Sequence, residues 1–473
     1  MRSRLVVAAV LAVTLLGGGL GLSPVPVKAA VTDATVRGPI TGGIRGHALF
    51  DSWFDLAEVG YQEGEYFVSG TARSAAGAEA AYTTRIIVSR PVDPKDFNGT
   101  VVLDWVNVTA QFENAVDTVE AHEFLLREGY AYVHVSAQAA GVCCTPLTPK
   151  VWDPVRYADL NHPGDAYAND MFSQVAKAIR APAGAVDPTG GLRVKRVLAA
   201  GQSQSASRLY DYVRSTQASA AVIDGFLIHG GGGKDYGEGA PAPVLHLLSD
   251  REASPAAPTT DRNYRLWEIA GSAHSDFWIG YHQEVGQGPR TVASAPKQPA
   301  SAEEEVDAVA GNYGEQIHPM QAACIAAGAL FPTRYSVSAA LFHLDQWVRD
   351  GPDGAPPSGP RYQFDAGGAL ARDELGNALG GIRLPPIVHP VARYESTTCN
   401  LGGITIPMTD AEIQDRYPTH GDYYAKMLAA TRRSVDDGFL LKADARDLLE
   451  RACAARNRWG ETSGPACPAP GIA

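Results

Sequence analysis

Between residues 99 and 271 the sequence repeats one arrangement: a short, continuously apolar run, then an amphipathic stretch closed by glycine or proline, then another apolar run. The apolar runs are GTVVLDWVN (99–107), YAYVHVSAQ (130–138), RVKRVLAAG (193–201), AVIDGFLIHG (221–230), PVLHLLSD (243–250) and RLWEIAG (265–271). Strands apolar on both faces and spaced by helices of ten to eighteen residues, here TVEAHEFLLREG, GDAYANDMFSQVAKAIRA and SASRLYDYVRS, require a mainly parallel sheet covered by helices on both sides. The fold class is therefore α/β. Ahead of this core, EYFVSGTA and TTRIIVSRP predict an antiparallel edge. GGGGKDYGEGAPAP (230–243) is too rich in glycine for a regular element and predicts a loop at a strand's carboxyl end.

Past residue 276 the alternation stops. VSAALFHLDQWVRDG and DYYAKMLAATRRSVDDG predict helices joined by stretches such as GPDGAPPSGP. The expected organisation is a leader at 1–29, a core at 30–275, and a mostly helical region at 276–473 that packs beside the sheet or caps its upper edge.

The leader follows from MRSRLVVAAVLAVTLLGGGLGL, in which two arginines precede an apolar stretch, with Val27 and Ala29 placed for cleavage. Gly17 to Gly19 and Pro24 interrupt that stretch before it comfortably spans a bilayer, so the mature chain is expected outside the cytoplasm, free of the membrane. The six cysteines then favour disulfides over metal ligation, with Cys453 and Cys467 close enough for a local staple. A formal net charge of -12 argues against nucleic acid as a partner and fits a small or polymeric neutral substrate.

The chemistry is carried by VKRVLAAGQSQSASR (194–208). A parallel sheet presents reactive groups where strand carboxyl ends meet helix N-termini. There Gly201, Ser203 and Ser205 occupy the three marked positions of a G-x-S-x-G elbow, with serine replacing the last glycine. A serine nucleophile needs a base, and the base needs a carboxylate to hold its tautomer. Of the twelve histidines, His274 alone follows a late strand and a glycine turn. His229 and His246 lie inside apolar strands and read as core groups, whereas His162 precedes the nucleophile strand and is a poor base. Glu252 in SDREASP is the expected acid, with Asp250 the alternative. Asp224 reads as a structural bond and Asp276 as a helix cap. For the oxyanion, the expected donors are the backbone amides of Gln204 and, in the loop WVNVTAQ, of Asn107 and Val108.

Together with IDGFLIHG, HPGDAYANDMFSQ, GGIRLPPIVHPVA and YPTHGDYYAKM, these segments resemble the secreted bacterial α/β-hydrolase-domain proteins over nearly the whole mature chain. Similarity to that family's G-x-SQSA motif implies the α/β-hydrolase fold, Ser203 as nucleophile, Glu252 as acid and His274 as base, without metal or organic cofactor. The adjacent pair Cys143-Cys144 departs from the family pattern. The expected function is hydrolysis of carboxylic esters through an acyl-enzyme. Amide or peptide hydrolysis by the same triad is a second reading, and a non-catalytic binding protein on the same scaffold a third.

Overall fold

The computed structural model describes residues 31–231, 239–256, 261–282, 286–301, 328–461, 467 and 471–472. The leader at 1–29, most of the expected loop at 230–243, and Cys324 lie outside the described residues.

Nine strands form one sheet: β1 (Thr35–Arg37), β2 (Tyr61–Arg73), β3 (Glu79–Pro91), β4 (Thr100–Trp105), β5 (Ala131–Val135), β6 (Arg196–Gln202), β7 (Gly225–His229), β8 (Val244–Leu248) and β9 (Tyr264–Glu268). Their order is β1-β2-β3-β5-β4-β6-β7-β8-β9. The first three strands pair antiparallel and β3 meets β5 antiparallel; every pair from β5 onward to β9 is parallel. The antiparallel edge and the parallel core match the two patterning regimes of the sequence.

The alternation of side chains along each strand divides two cores. Val102, Leu198, Leu227 and Leu245 face one side, with Phe124 and Leu125 of α1 (Val116–Arg127). Leu103, Ala199, Phe226 and Val244 face the other, with Phe172 and Val175 of α2 (Ala168–Arg180) and Leu209 and Tyr212 of α3 (Gln204–Tyr212). The strand expected at 221–230 is shorter than its apolar run. Ala221 turns into the left-handed region, and the Asp224 carboxylate accepts from the Val197 N–H and from Arg180, so regular pairing starts only at Gly225.

The C-terminal region packs on the face of the sheet. Helix α4 (Thr333–Asp350) lies across β6, β7 and β8 beside α1, burying Leu341, Leu344 and Trp347. Asp345 pins it at the strands' starting edge, accepting from Thr100 Oγ1 and from Arg196 Nε, both at 2.7 Å. Tyr423 and Met427 of α5 (His420–Asp436) and Leu448 and Leu449 of α6 (Lys442–Ala454) extend the same core outward. A two-stranded ribbon, β10 (Ala392–Glu395) with β11 (Ile404–Pro407), interrupts the helices. Four-residue strands are too short to show a period in sequence.

Candidate active site

At the end of β6 the chain reverses through Ser203, whose φ of 61° and ψ of -115° place a side-chain-bearing residue where glycine is normally found. Such a conformation costs on the order of 1–3 kcal/mol and persists only where the surroundings hold it. Here the Ser203 N–H donates to the His229 carbonyl at 2.7 Å, and its carbonyl accepts from the Ser207 N–H in the first turn of α3. The glycine before it has a steric reason: a Cβ on Gly201 would lie 3.0 Å from Leu209 Cδ1 and 3.1 Å from the Ser205 backbone. Ser205 is fully buried at that crossing, so serine is tolerated where the motif usually has glycine.

The turn lifts the hydroxyl toward the loops that follow β8 and β9. Ser203 Oγ lies 2.8 Å from His274 Nε2, and His274 Nδ1 lies 2.5 Å from Glu252 Oε1. With Nδ1–H donating to the carboxylate, Nε2 is left to accept the serine proton. Glu252 is itself fixed by a reciprocal cap: its other oxygen accepts from the Ser249 N–H at 2.9 Å and from the Ser249 hydroxyl at 2.5 Å. Burial pushes the Glu252 carboxyl up, but the hydrogen bond and charge of His274 and the Ser249 donors outweigh it and hold the group below its ordinary value. The His274 carbonyl accepts from Gln202 Nε2 at 2.7 Å, which ties the base's loop to the strand carrying the serine.

Asp250, the alternative acid, is directed elsewhere. Its carboxylate accepts from the Gly271 N–H at 3.1 Å, from Tyr362 at 2.9 Å and from Ser396 at 2.6 Å, and burial raises its pKa. It joins the end of β8 to the C-terminal region and, among the described residues, makes no hydrogen bond with His274. Asp276 caps a short helix, accepting from the Trp278 N–H at 3.0 Å, and His246 donates or accepts against Tyr264 inside the core. His162 is held by the Ala137 carbonyl and the Gly164 N–H, away from the serine.

The oxyanion donors expected from the loop after β4 require one correction. The Asn107 N–H is already donated to the Asn114 carbonyl at 2.8 Å, so it is not free for substrate. Its side chain has a different use: Asn107 Nδ2 donates to the Gln202 carbonyl at 3.0 Å and docks the loop against the residue preceding the nucleophile. The next amide, Val108, has no acceptor among the described residues. Gln204 opens α3, where helix geometry leaves the N–H without an intrahelical partner.

Two participants were not singled out in the sequence. Gln202 joins both loops, one through its side chain and one through its carbonyl; its place inside the GQSQS motif was the available signal. Asp117 on α1 forms a second carboxylate-histidine pair with His229, Oδ1 to Nδ1 at 2.9 Å. Close by, Cys143 and Cys144 are bonded to each other, and the following Thr145 hydroxyl donates to the Gln111 carbonyl at 2.6 Å, on the loop that carries Val108. Cys453 is bonded to Cys467 as the spacing suggested, and Cys399 is also in a disulfide.

Comparison with known families finds that a model described as alpha/beta hydrolase domain covers residues 36–450. The chain belongs to the alpha/beta hydrolase domain family. Among solved structures, esterase Est22 is 13% identical to this α/β-hydrolase, over 42% of this chain and 67% of its own, with a TM-score of 0.27. XC6422 from Xanthomonas campestris, a serine hydrolase without a lid, is 15% identical over 48% and 95% of the two chains, also at 0.27. A cold-adapted esterase from an Arctic intertidal metagenomic library is 11% identical over 43% and 84%, at 0.27. No curated protein matches the chain.

Proposed function

We propose that this α/β-hydrolase is a secreted serine hydrolase that cleaves carboxylic esters. The observation that carries the reading is the continuous relay from Ser203 Oγ through His274 to Glu252, starting from a serine held in strained backbone. Secretion is supported by the arginine-led apolar leader and by the disulfides among the described cysteines.

In this mechanism His274 Nε2 takes the hydroxyl proton as Ser203 Oγ bonds to the ester carbonyl carbon. Glu252 stabilises the resulting imidazolium. The oxyanion is met by the Gln204 and Val108 amides. Collapse breaks the bond to the alcohol oxygen, which leaves with the proton from His274, and a water activated by the same imidazole then releases the acid and restores the serine. The proton transfer from Ser203 uses side chains already in hydrogen-bond reach of one another.

A fluorophosphonate probe followed by peptide mapping tests the activated serine, and labelling at Ser203 that disappears in Ser203→Ala is the expected outcome. A folded sample that resists labelling would favour a binding protein. A panel of acyl and aryl esters, polyesters and peptides tests the bond cleaved, and turnover confined to peptides would replace the ester reading with a peptidase.

A further inference from the structure

The ladder between β4 and β6 has its last paired residues at Asp104 and Ala200, before either strand reaches the reacting groups. Past that rung one chain runs through Gly201 and Gln202 to the nucleophile, and the other runs into the loop that carries Val108. A side chain carries the connection further. Asn107, three residues past the last rung, donates from Nδ2 to the carbonyl of Gln202, two residues past it, at 3.0 Å. Its Oδ1 accepts from the Thr109 N–H at 2.8 Å. The neighbours dictate this orientation: a carbonyl needs a donor and an N–H an acceptor, and a carboxamide offers both at once.

The residue between these two attachments is Val108. Its carbonyl accepts from the Gln111 N–H at 2.9 Å, and Asn107 and Asn114 exchange both backbone bonds at 2.8 Å, so the loop is closed at its base. Gly141 packs against it so tightly that a Cβ there would lie 3.0 Å from Val108 Cγ1. The Asn107 carboxamide thus grips the chain on both sides of the Val108 amide, through its own backbone before it and Thr109 after it, and fastens that turn to Gln202. Gln202 stands two residues before Gln204, the other expected oxyanion donor, and holds the base's loop through its Nε2 bond to the His274 carbonyl at 2.7 Å. Asn107 and Gln202 are 8% and 5% exposed, so little water competes for these bonds.

We propose that Asn107 is a positioning residue of the hydrolysis: its carboxamide sets the Val108 amide against the Gln204 amide and so fixes an oxyanion hole that neither segment fixes alone. The assignment rests on the hydrolase reading above and deepens its oxyanion site. Aimed N–H groups stabilise the developing charge when they lie about 2.7–3.1 Å from it. A misplacement of about 1 Å costs roughly a hundredfold in rate. Because the oxyanion exists only on the way to products, loss of the tie is expected to fall on kcat rather than on KM.

The test compares the parent with Asn107→Ala, which removes both side-chain bonds, and Asn107→Ser, whose hydroxyl still closes the turn at Thr109 but stops short of Gln202. Fluorophosphonate titration carried to completion counts the reactive serines in each sample, and turnover of 4-nitrophenyl acetate is expressed per titrated site. Both variants are expected to lose roughly a hundredfold in kcat per site, with KM within about threefold. The inhibition constant of 1,1,1-trifluoroheptan-2-one, whose hemiketal with Ser203 would place an oxyanion in the same hole, is expected to rise by a similar factor. A merely structural role would lower the number of titrated sites while leaving kcat per site and that constant unchanged, and this outcome overturns the positioning role. Should Asn107→Ala fail to fold, Asn107→Ser decides alone; kcat per site within about twofold of the parent overturns the proposal and leaves an active hydrolase. A folded parent whose Ser203 resists the fluorophosphonate overturns the hydrolase reading, and the positioning role with it.

Discussion

Among the described residues, two carboxylate-histidine pairs touch Ser203, and they differ in how their histidines meet it. In Glu252-His274 the side chains keep 10% and 6% of their exposure for imidazole and carboxylate, and Nε2 meets a hydroxyl. In Asp117-His229 the corresponding values are 4% and 0%, and among the described residues the histidine meets the serine through its backbone carbonyl. A short bond from imidazole to carboxylate therefore does not by itself identify a base. A hydroxyl within reach of the second nitrogen, as Ser203 Oγ is for His274 Nε2, makes the distinction.

Removing the serine sharpens the contrast most. Ser203→Ala is expected to reduce kcat on a responsive ester roughly 10⁴-fold or more while leaving the melting temperature near that of the parent, because the strained turn is retained. Exchanging the two histidines separates the pairs next. His274→Ala is expected to remove turnover to a similar extent with little loss of stability. His229→Ala leaves Asp117 buried without its partner, which costs about 3 kcal/mol in denaturant unfolding, and the folded fraction is expected to keep its kcat within about tenfold. If both variants lose turnover equally at equal stability, the comparison fails.

The two acids form a smaller contrast of the same kind. Glu252→Gln is expected to lower kcat roughly a thousandfold, whereas Asp250→Asn should lower the melting temperature through its lost contacts with Tyr362 and Ser396 and leave kcat within a few-fold. Their pH signatures are the smallest effect and have opposite signs. Glu252 titrates below its ordinary value of 4.5 in the folded chain, so its stabilisation is complete above 4.5 and is lost as pH falls through the lower folded value. Asp250 is raised above 3.8 by burial, so its contribution is largest at low pH and declines as pH rises from 3.8 through the higher folded value. Unfolding titrations of the two variants against the parent between pH 3 and 6 should show differences that move in opposite directions.

The strands of the core were legible because burial on both faces leaves an unbroken apolar run, and the elbow was legible because the close crossing of strand and helix demands a glycine two residues before Ser203. The choice of Glu252 over Asp250 rested on the spacing of a turn. What selects between them physically is the Ser249 cap on one side and Tyr362, a hundred residues downstream, on the other; the second is invisible to local pattern. The Asn107 amide was mistaken for a donor because sequence shows that a loop turns but not which of its N–H groups the turn consumes. The short ribbon at 392–407 is likewise a product of long-range packing.

Helix α4 has a consequence for how the chain is made. The face of β6, β7 and β8 that it covers is complete in sequence by Leu248, yet its cover is not synthesised until Thr333–Asp350. For that interval the growing polypeptide carries a bare apolar sheet surface, so a product ending after β9 should aggregate, and export before folding would shield it from the cytosolic crowd until its lid of helix arrives.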